Sequence, residues 1–129
     1  MAGQPIVTDI GQGVGLTTPA PAVRTVKVLL SPLLQDGLED FSVGITEVPP
    51  HGEGTRHNHP HAAEVWLFFA GRGRAIVGDR EHPTAPGTVV YTPPGTFHQF
   101  INTGDEPVKL YFLYVPAGEA QAILDAEFR

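Results

Sequence analysis

Three imidazoles and one carboxylate fall at spacings that suit a metal ion. In residues 54–71, Gly-Thr-Arg-His-Asn-His-Pro-His-Ala-Ala-Glu-Val-Trp-Leu-Phe-Phe-Ala-Gly, His57 and His59 are two apart, so on an extended segment both side chains leave the same face. Glu64 opens an apolar and aromatic run that reads as a buried strand ending at Gly71. A carboxylate at the head of such a strand needs a partner. A divalent cation beside His57 and His59 supplies one, because neutral imidazole and carboxylate both ligate first-row metals. A fourth ligand, His98, starts the strand after the Pro93-Pro94-Gly95 turn. The chain contains no cysteine, which excludes thiolate zinc sites, disulfides and thiol nucleophiles and leaves the metal to nitrogen and oxygen.

The two stretches resemble the motifs of the cupin superfamily. The first is similar to His-x-His, three or four residues, Glu, six residues, Gly. The second, residues 87–102, is similar to Gly, five residues, Pro-x-Gly, two residues, His, three residues, Asn, and matches at Gly87, Pro93, Gly95, His98 and Asn102. One position departs: a Gly often stands six residues before the first His of the family, and here it is His51, flanked by Gly52. The resemblance implies an all-β fold, a double-stranded β-helix or jelly-roll barrel, with one divalent ion per chain (Fe, Mn, Ni, Zn or Cu) on His57, His59, Glu64 and His98.

The elements that must position these residues are short. Fifteen glycines and thirteen prolines in 129 residues favour strands and turns over long helices. Residues 1–22 read as an extended arm, either flexible or an edge strand crossing to a second subunit. The Gly11–Gly15 cluster is not a dinucleotide fingerprint, because no strand precedes it and no helical pattern follows. Strands are expected at 23–30, 41–48, 64–70, 75–77, 89–91, 98–101 and 108–115. A barrel domain then spans 23–118, and a short C-terminal helix over 119–129 packs Ile123, Leu124 and Phe128 against its outside.

Around the ligands, several residues have two readings. Trp66 shares a strand face with Glu64, and Phe100 shares one with His98, so both belong either to the substrate pocket or to the core. His61 is two residues beyond His59, but Pro60 bends the chain between them; it is placed outside the metal's ligand shell and kept, with Tyr91, among the pocket residues. Arg56 leaves the face opposite His57, and Arg72 and Arg74 flank a turn as solvated charges. His51 and His82 are expected to be exposed in turns.

A net charge of -6 and the lack of a basic run exclude nucleic acid as a partner. The longest apolar run, 65–70, is far too short to span a bilayer, and the first residues lack a signal-peptide pattern. A soluble, cytoplasmic homodimer is expected, with a small-molecule partner. Three neutral imidazoles and one carboxylate leave a divalent ion with a charge of about +1 and, if it is octahedral, two open positions. Such a site suits an anionic, chelating metabolite. The expectation is a metal-dependent enzyme of dioxygenase, decarboxylase, lyase or isomerase type; the alternative is a non-catalytic, metal-anchored small-ligand or sugar-binding cupin.

Overall fold

The computed structural model describes residues 3–120. Nine strands are found among them: β1 (Val14–Thr17), β2 (Thr25–Leu30), β3 (Ser42–Val48), β4 (Ala63–Ala70), β5 (Gly73–Val77), β6 (Arg80–Thr84), β7 (Val89–Thr92), β8 (His98–Asn102) and β9 (Val108–Val115). They form a six-stranded sheet in the order β1-β2-β3-β9-β4-β7 and a three-stranded sheet in the order β6-β5-β8, all neighbours antiparallel. This is the expected double-sheet jelly roll.

Two-residue periodicity decides what faces inward. Val26 and Val28 of β2, Trp66 and Phe68 of β4, and Leu110 and Phe112 of β9 alternate into one core with Ala75 and Phe100 of the smaller sheet. Each large apolar side chain withdrawn from water in this way stabilises the fold by about 1.5–3 kcal/mol. Phe112 sits over Gly44, where a Cβ would collide with its ring and with the Lys27 carbonyl. The six-stranded sheet can therefore accept a large aromatic at this point only because β3 has no side chain there.

Two segments differ from expectation. Part of the supposed arm is β1, which pairs with β2 of the chain's own sheet from Val14↔Val28 to Thr17↔Thr25. A Cβ on Gly15 would collide with the Val26 carbonyl, so the glycine-rich composition serves close strand approach as well as freedom. Strand β6 was not foreseen, because Arg80, Glu81, His82 and Pro83 are polar or strand-breaking. It is the edge of the smaller sheet, where Pro and charge are tolerated, and its first four residues are exposed. His82 thus lies on an edge strand rather than in a turn.

The described chain ends in a single 3-10 turn at Ala117–Ala120. The rest of the helix expected over 119–129 lies outside the described residues. No helix among the described residues is long and apolar enough to cross a membrane.

Candidate metal centre

The ligand segment is fastened to β8 by backbone pairing. His57 N–H donates to the His98 carbonyl (3.0 Å) and His98 N–H donates to the His57 carbonyl (2.8 Å). Residues that exchange both bonds stand directly opposite, with side chains on the same face. Farther along, Gly54 N–H donates to Phe100 O and Gly95 N–H donates to His59 O, each at 2.9 Å. Gly95 has φ +79°, a conformation glycine adopts without steric cost, and the turn it makes brings His98 alongside His57.

Strand β4 presents Glu64 from the facing sheet. Its side chain is buried, as is that of His98, while His57 and His59 are half-buried. One donor atom from each of the four residues lies within 4.8 Å of all the others. The imidazole rings of His57 and His98 are 4.3 Å apart between centroids, and the His59 ring is 5.0 and 5.2 Å from them.

The outer contacts of the rings fix which nitrogen faces the centre. His57 Nδ1 is 2.7 Å from the Thr55 carbonyl, and His98 Nδ1 is 3.0 Å from the Thr96 carbonyl. A carbonyl can only accept, so each Nδ1 carries the proton and each Nε2 presents a lone pair. Glu64 Oε1 lies 2.8 Å from His98 Nε2 and 3.3 Å from His59 Nε2. Neither Glu64 Oε1 nor His98 Nε2 makes a hydrogen bond of proper geometry. Buried polar atoms without such a bond are costly. Donors that converge on a point instead of on one another fit a cation, and nitrogen with oxygen suits a divalent first-row metal.

The electrostatics agree. Burial alone would raise the Glu64 carboxyl, but when no cation is bound, hydrogen bonds and positive charge from His59 and His98 overcome it and hold the pKa down to about 2; a bound cation would take the place of the Nε2 protons in that role. Burial lowers the His57 pKa and outweighs the opposing hydrogen bond to the Thr55 carbonyl, with smaller contributions from His98 and His59 (lowering) and Glu64 (raising). Both groups are thereby held in their metal-binding forms: carboxylate and neutral imidazole.

A cavity of about 440 Å³ opens from this cluster between the two sheets. Trp66 and Phe100 line it, with their rings edge-on at 6.4 Å and Trp66 edge-on to His98 at 5.3 Å. Tyr114, whose ring is 4.9 Å from that of His59, also lines it. Two expected pocket residues are elsewhere. Tyr91 is 61% exposed on the outer face, because the pairing Glu64↔Thr92 puts Thr92, not Tyr91, on the face of Glu64. His61 is exposed on the turn made at Pro60, away from both cluster and cavity. Arg56 holds its guanidinium 5.4 Å from the Phe97 ring centroid and donates to Gly78 O.

Sequence reasoning missed Arg24, which lines the cavity. The signal was its phase: Arg24 is in step with inward Val26 and Val28, whereas Lys27 is out of step with them.

Asn102, the last motif position, has a structural task. Its side-chain amide donates to the carbonyls of Val48, Pro49 and Glu106 and accepts from Gly104 N–H, tying β8 to the end of β3 and the turn before β9.

Residues 44–121 match the family model described as the cupin domain. The chain is 37% identical over 67 residues to a glucose-6-phosphate isomerase of Pyrococcus abyssi, covering 48% of this chain and 35% of that protein. It is 31% identical over 87 residues to protein SchB of Streptomyces halstedii, covering 67% and 62%. The chain thus spans 35% of the length of the archaeal isomerases it matches. Among solved structures, a predicted oxalate decarboxylase from Thermotoga maritima superposes with a TM-score of 0.75 at 17% identity, over 86% of this chain and 99% of that one. The polyketide cyclase RemF from Streptomyces resistomycificus gives 0.72 at 18%, over 87% and 80%. At these identities the likeness is one of fold.

Proposed function

We propose that this chain, which belongs to the cupin family, binds one divalent cation on His57, His59, Glu64 and His98 and uses it to act on a small anionic metabolite that chelates the ion. The observation that carries this reading is the convergence of four donor atoms within 4.8 Å at the wall of a cavity large enough for such a molecule. When bound, the metal would polarise a ligated oxygen and stabilise negative charge developing on the substrate. The chain's own part is to hold the donors in their deprotonated forms and to surround the substrate with the dry wall of Trp66, Phe100 and Leu110. An isomerase, a decarboxylase and a cyclase are named among the similar proteins. These are three different reactions on one fold, so the fold does not fix the chemistry.

One observation favours a second reading, a metal-anchored binding module. Among the described residues lining the cavity, every carboxylate and imidazole is also one of the four proposed ligands, so neither group is left over to act as a general base. Cobalt substitution separates the readings. An enzyme should give the weak visible absorption of an ion with open positions, change it on adding 2-oxo or 2-hydroxy acids, and turn over one of them, aerobically or anaerobically, in a screen that follows dioxygen uptake. A binding module should show the spectral change without turnover. An intense tetrahedral spectrum unmoved by any acid would indicate a closed structural site and overturn the proposal.

A further inference from the structure

Arg24 stands just before β2 in phase with Val26 and Val28, so its side chain starts on the inner face of the large sheet, and it lines the same cavity as His57, His59 and Glu64. The two charges lie at opposite ends of that face. Glu64 aligns through Tyr114 with Ser42 at the start of β3, whereas Thr25, next to Arg24, pairs with Glu47 near its end. Among the described residues no carboxylate pairs with Arg24 and its guanidinium makes no hydrogen bond. A half-buried arginine whose five N–H donors find no partner among the described residues is prepared for a planar or tetrahedral oxyanion.

The cavity is also electrostatically out of character with the chain. Glu64 is the only acidic residue among the described residues that line it. With a divalent ion on the four ligands, the metal end carries about +1, and Arg24 brings the cavity to about +2, in a protein whose net charge is -6. Much of the wall is apolar, with Leu16, Val26, Trp66, Phe100 and Leu110, while Thr18, Thr55 and Asn58 add polar atoms. A hydrocarbon spacer matches the apolar part of this wall, where a ligand hydroxyl would lack a partner.

Resting on the metal-site reading above, we infer that the ligand is a dianion with an apolar middle: a chelating acid head on the metal and a distal carboxylate or phosphate on Arg24, which is then the specificity-determining residue. Thr46 lies across from Val26 on β3 and lines the same part of the cavity, where its hydroxyl can add a hydrogen bond to the distal group.

The test uses cobalt-loaded full-length protein and three acids that share a chelating 2-oxo head: 2-oxoglutarate, 2-oxo-4-phosphonobutanoate, and 2-oxopentanoate, which lacks the distal charge. Dissociation constants are read from the cobalt spectrum. Wild-type protein should bind one or both dianions roughly ten- to a hundredfold more tightly than 2-oxopentanoate, and the stronger of the two identifies the distal group. Arg24→Gln should abolish that preference while leaving 2-oxopentanoate binding and metal content unchanged, and Arg24→Lys should restore part of it. Equal binding of all three acids by wild type, or a preference that survives Arg24→Gln, would overturn the inference and leave the metal-site reading standing. If cobalt binds but none of the three acids perturbs it, the inference of a chelating 2-oxo head is overturned; if the protein takes up no cobalt, the metal-site reading itself fails.

Discussion

Replacing Asn102 by alanine should unfold the protein at a much lower temperature without altering the metal donors. The side chain is 1% exposed, and its amide serves the carbonyls of Val48, Pro49 and Glu106 at 3.1, 3.0 and 2.8 Å while accepting from Gly104 N–H at 2.9 Å. Each such bond is worth about 0.5–1.5 kcal/mol net, and abandoned buried partners add to the loss, so the total is about 3–5 kcal/mol. With an unfolding entropy of about 2.1 cal/mol/K per residue, a chain of this length should lose roughly 10–20 °C in Tm. Asn102→Asp sharpens the test. It places an anion against three carbonyls, so the destabilisation should be larger at neutral pH and shrink as acid protonates the carboxyl. Differential scanning calorimetry of both variants between pH 5 and 8 provides the measurement. A drop below about 3 °C for Asn102→Ala, or an aspartate variant insensitive to pH, would refute the reasoning that this amide ties β8 to the turns beside it.

In metal-free protein, His57 has its pKa lowered chiefly by burial, so its contribution to stability should be complete above the unfolded value of about 6.5 and vanish as pH falls through the lower folded value. Glu64, held at about 2 against an ordinary 4.5, should add a second loss between those two values. Urea midpoints of chelator-treated protein should therefore fall in two steps on acidification, the first missing in His57→Gln; a flat profile from pH 8 to 5 would contradict this. Leu67, Phe69, Val89 and Tyr91 are exposed on the outer face of β4 and β7, with Leu67↔Val89 and Val65↔Tyr91 paired. This contiguous apolar patch should make the chain a homodimer. Sedimentation should show twice the chain mass for wild type and a monomer for Leu67→Lys/Tyr91→Lys, and a monomeric wild type at micromolar concentration would sink the idea.

The spacing of His57, His59, Glu64 and His98 was legible because strand alternation converts sequence offsets into faces, and the Pro93-Pro94-Gly95 turn marks where His98 begins a strand. Strands β2, β3, β4 and β9 were legible as apolar runs bounded by Pro and Gly. Strand β6 was not, because an edge strand needs no apolar face and tolerates Pro83. Strand β1 was obscured by Gly13 and Gly15, which read as flexibility but admit close contact with Lys27 and the Val26 carbonyl. Tyr91 was misplaced because Val89-Val90-Tyr91-Thr92 offers an apolar residue to either face, and only the pairing of β7 with Glu64 decides which turns inward. Arg24 was overlooked for the opposite reason: a charged residue beside a strand is ordinarily solvated, and its inward phase gains meaning only once a cavity exists to receive it.

His57, His59, Glu64 and His98 should together bind one cation, with His61 outside the set. Elemental analysis of protein purified without added metal, and again after loading with excess divalent ion and desalting, tests it most directly across wild type, His98→Ala and His61→Ala. Wild type and His61→Ala should each retain one ion per chain after loading, and His98→Ala should lose most of it. Full occupancy in His98→Ala, or loss of the ion in His61→Ala, would contradict the assignment.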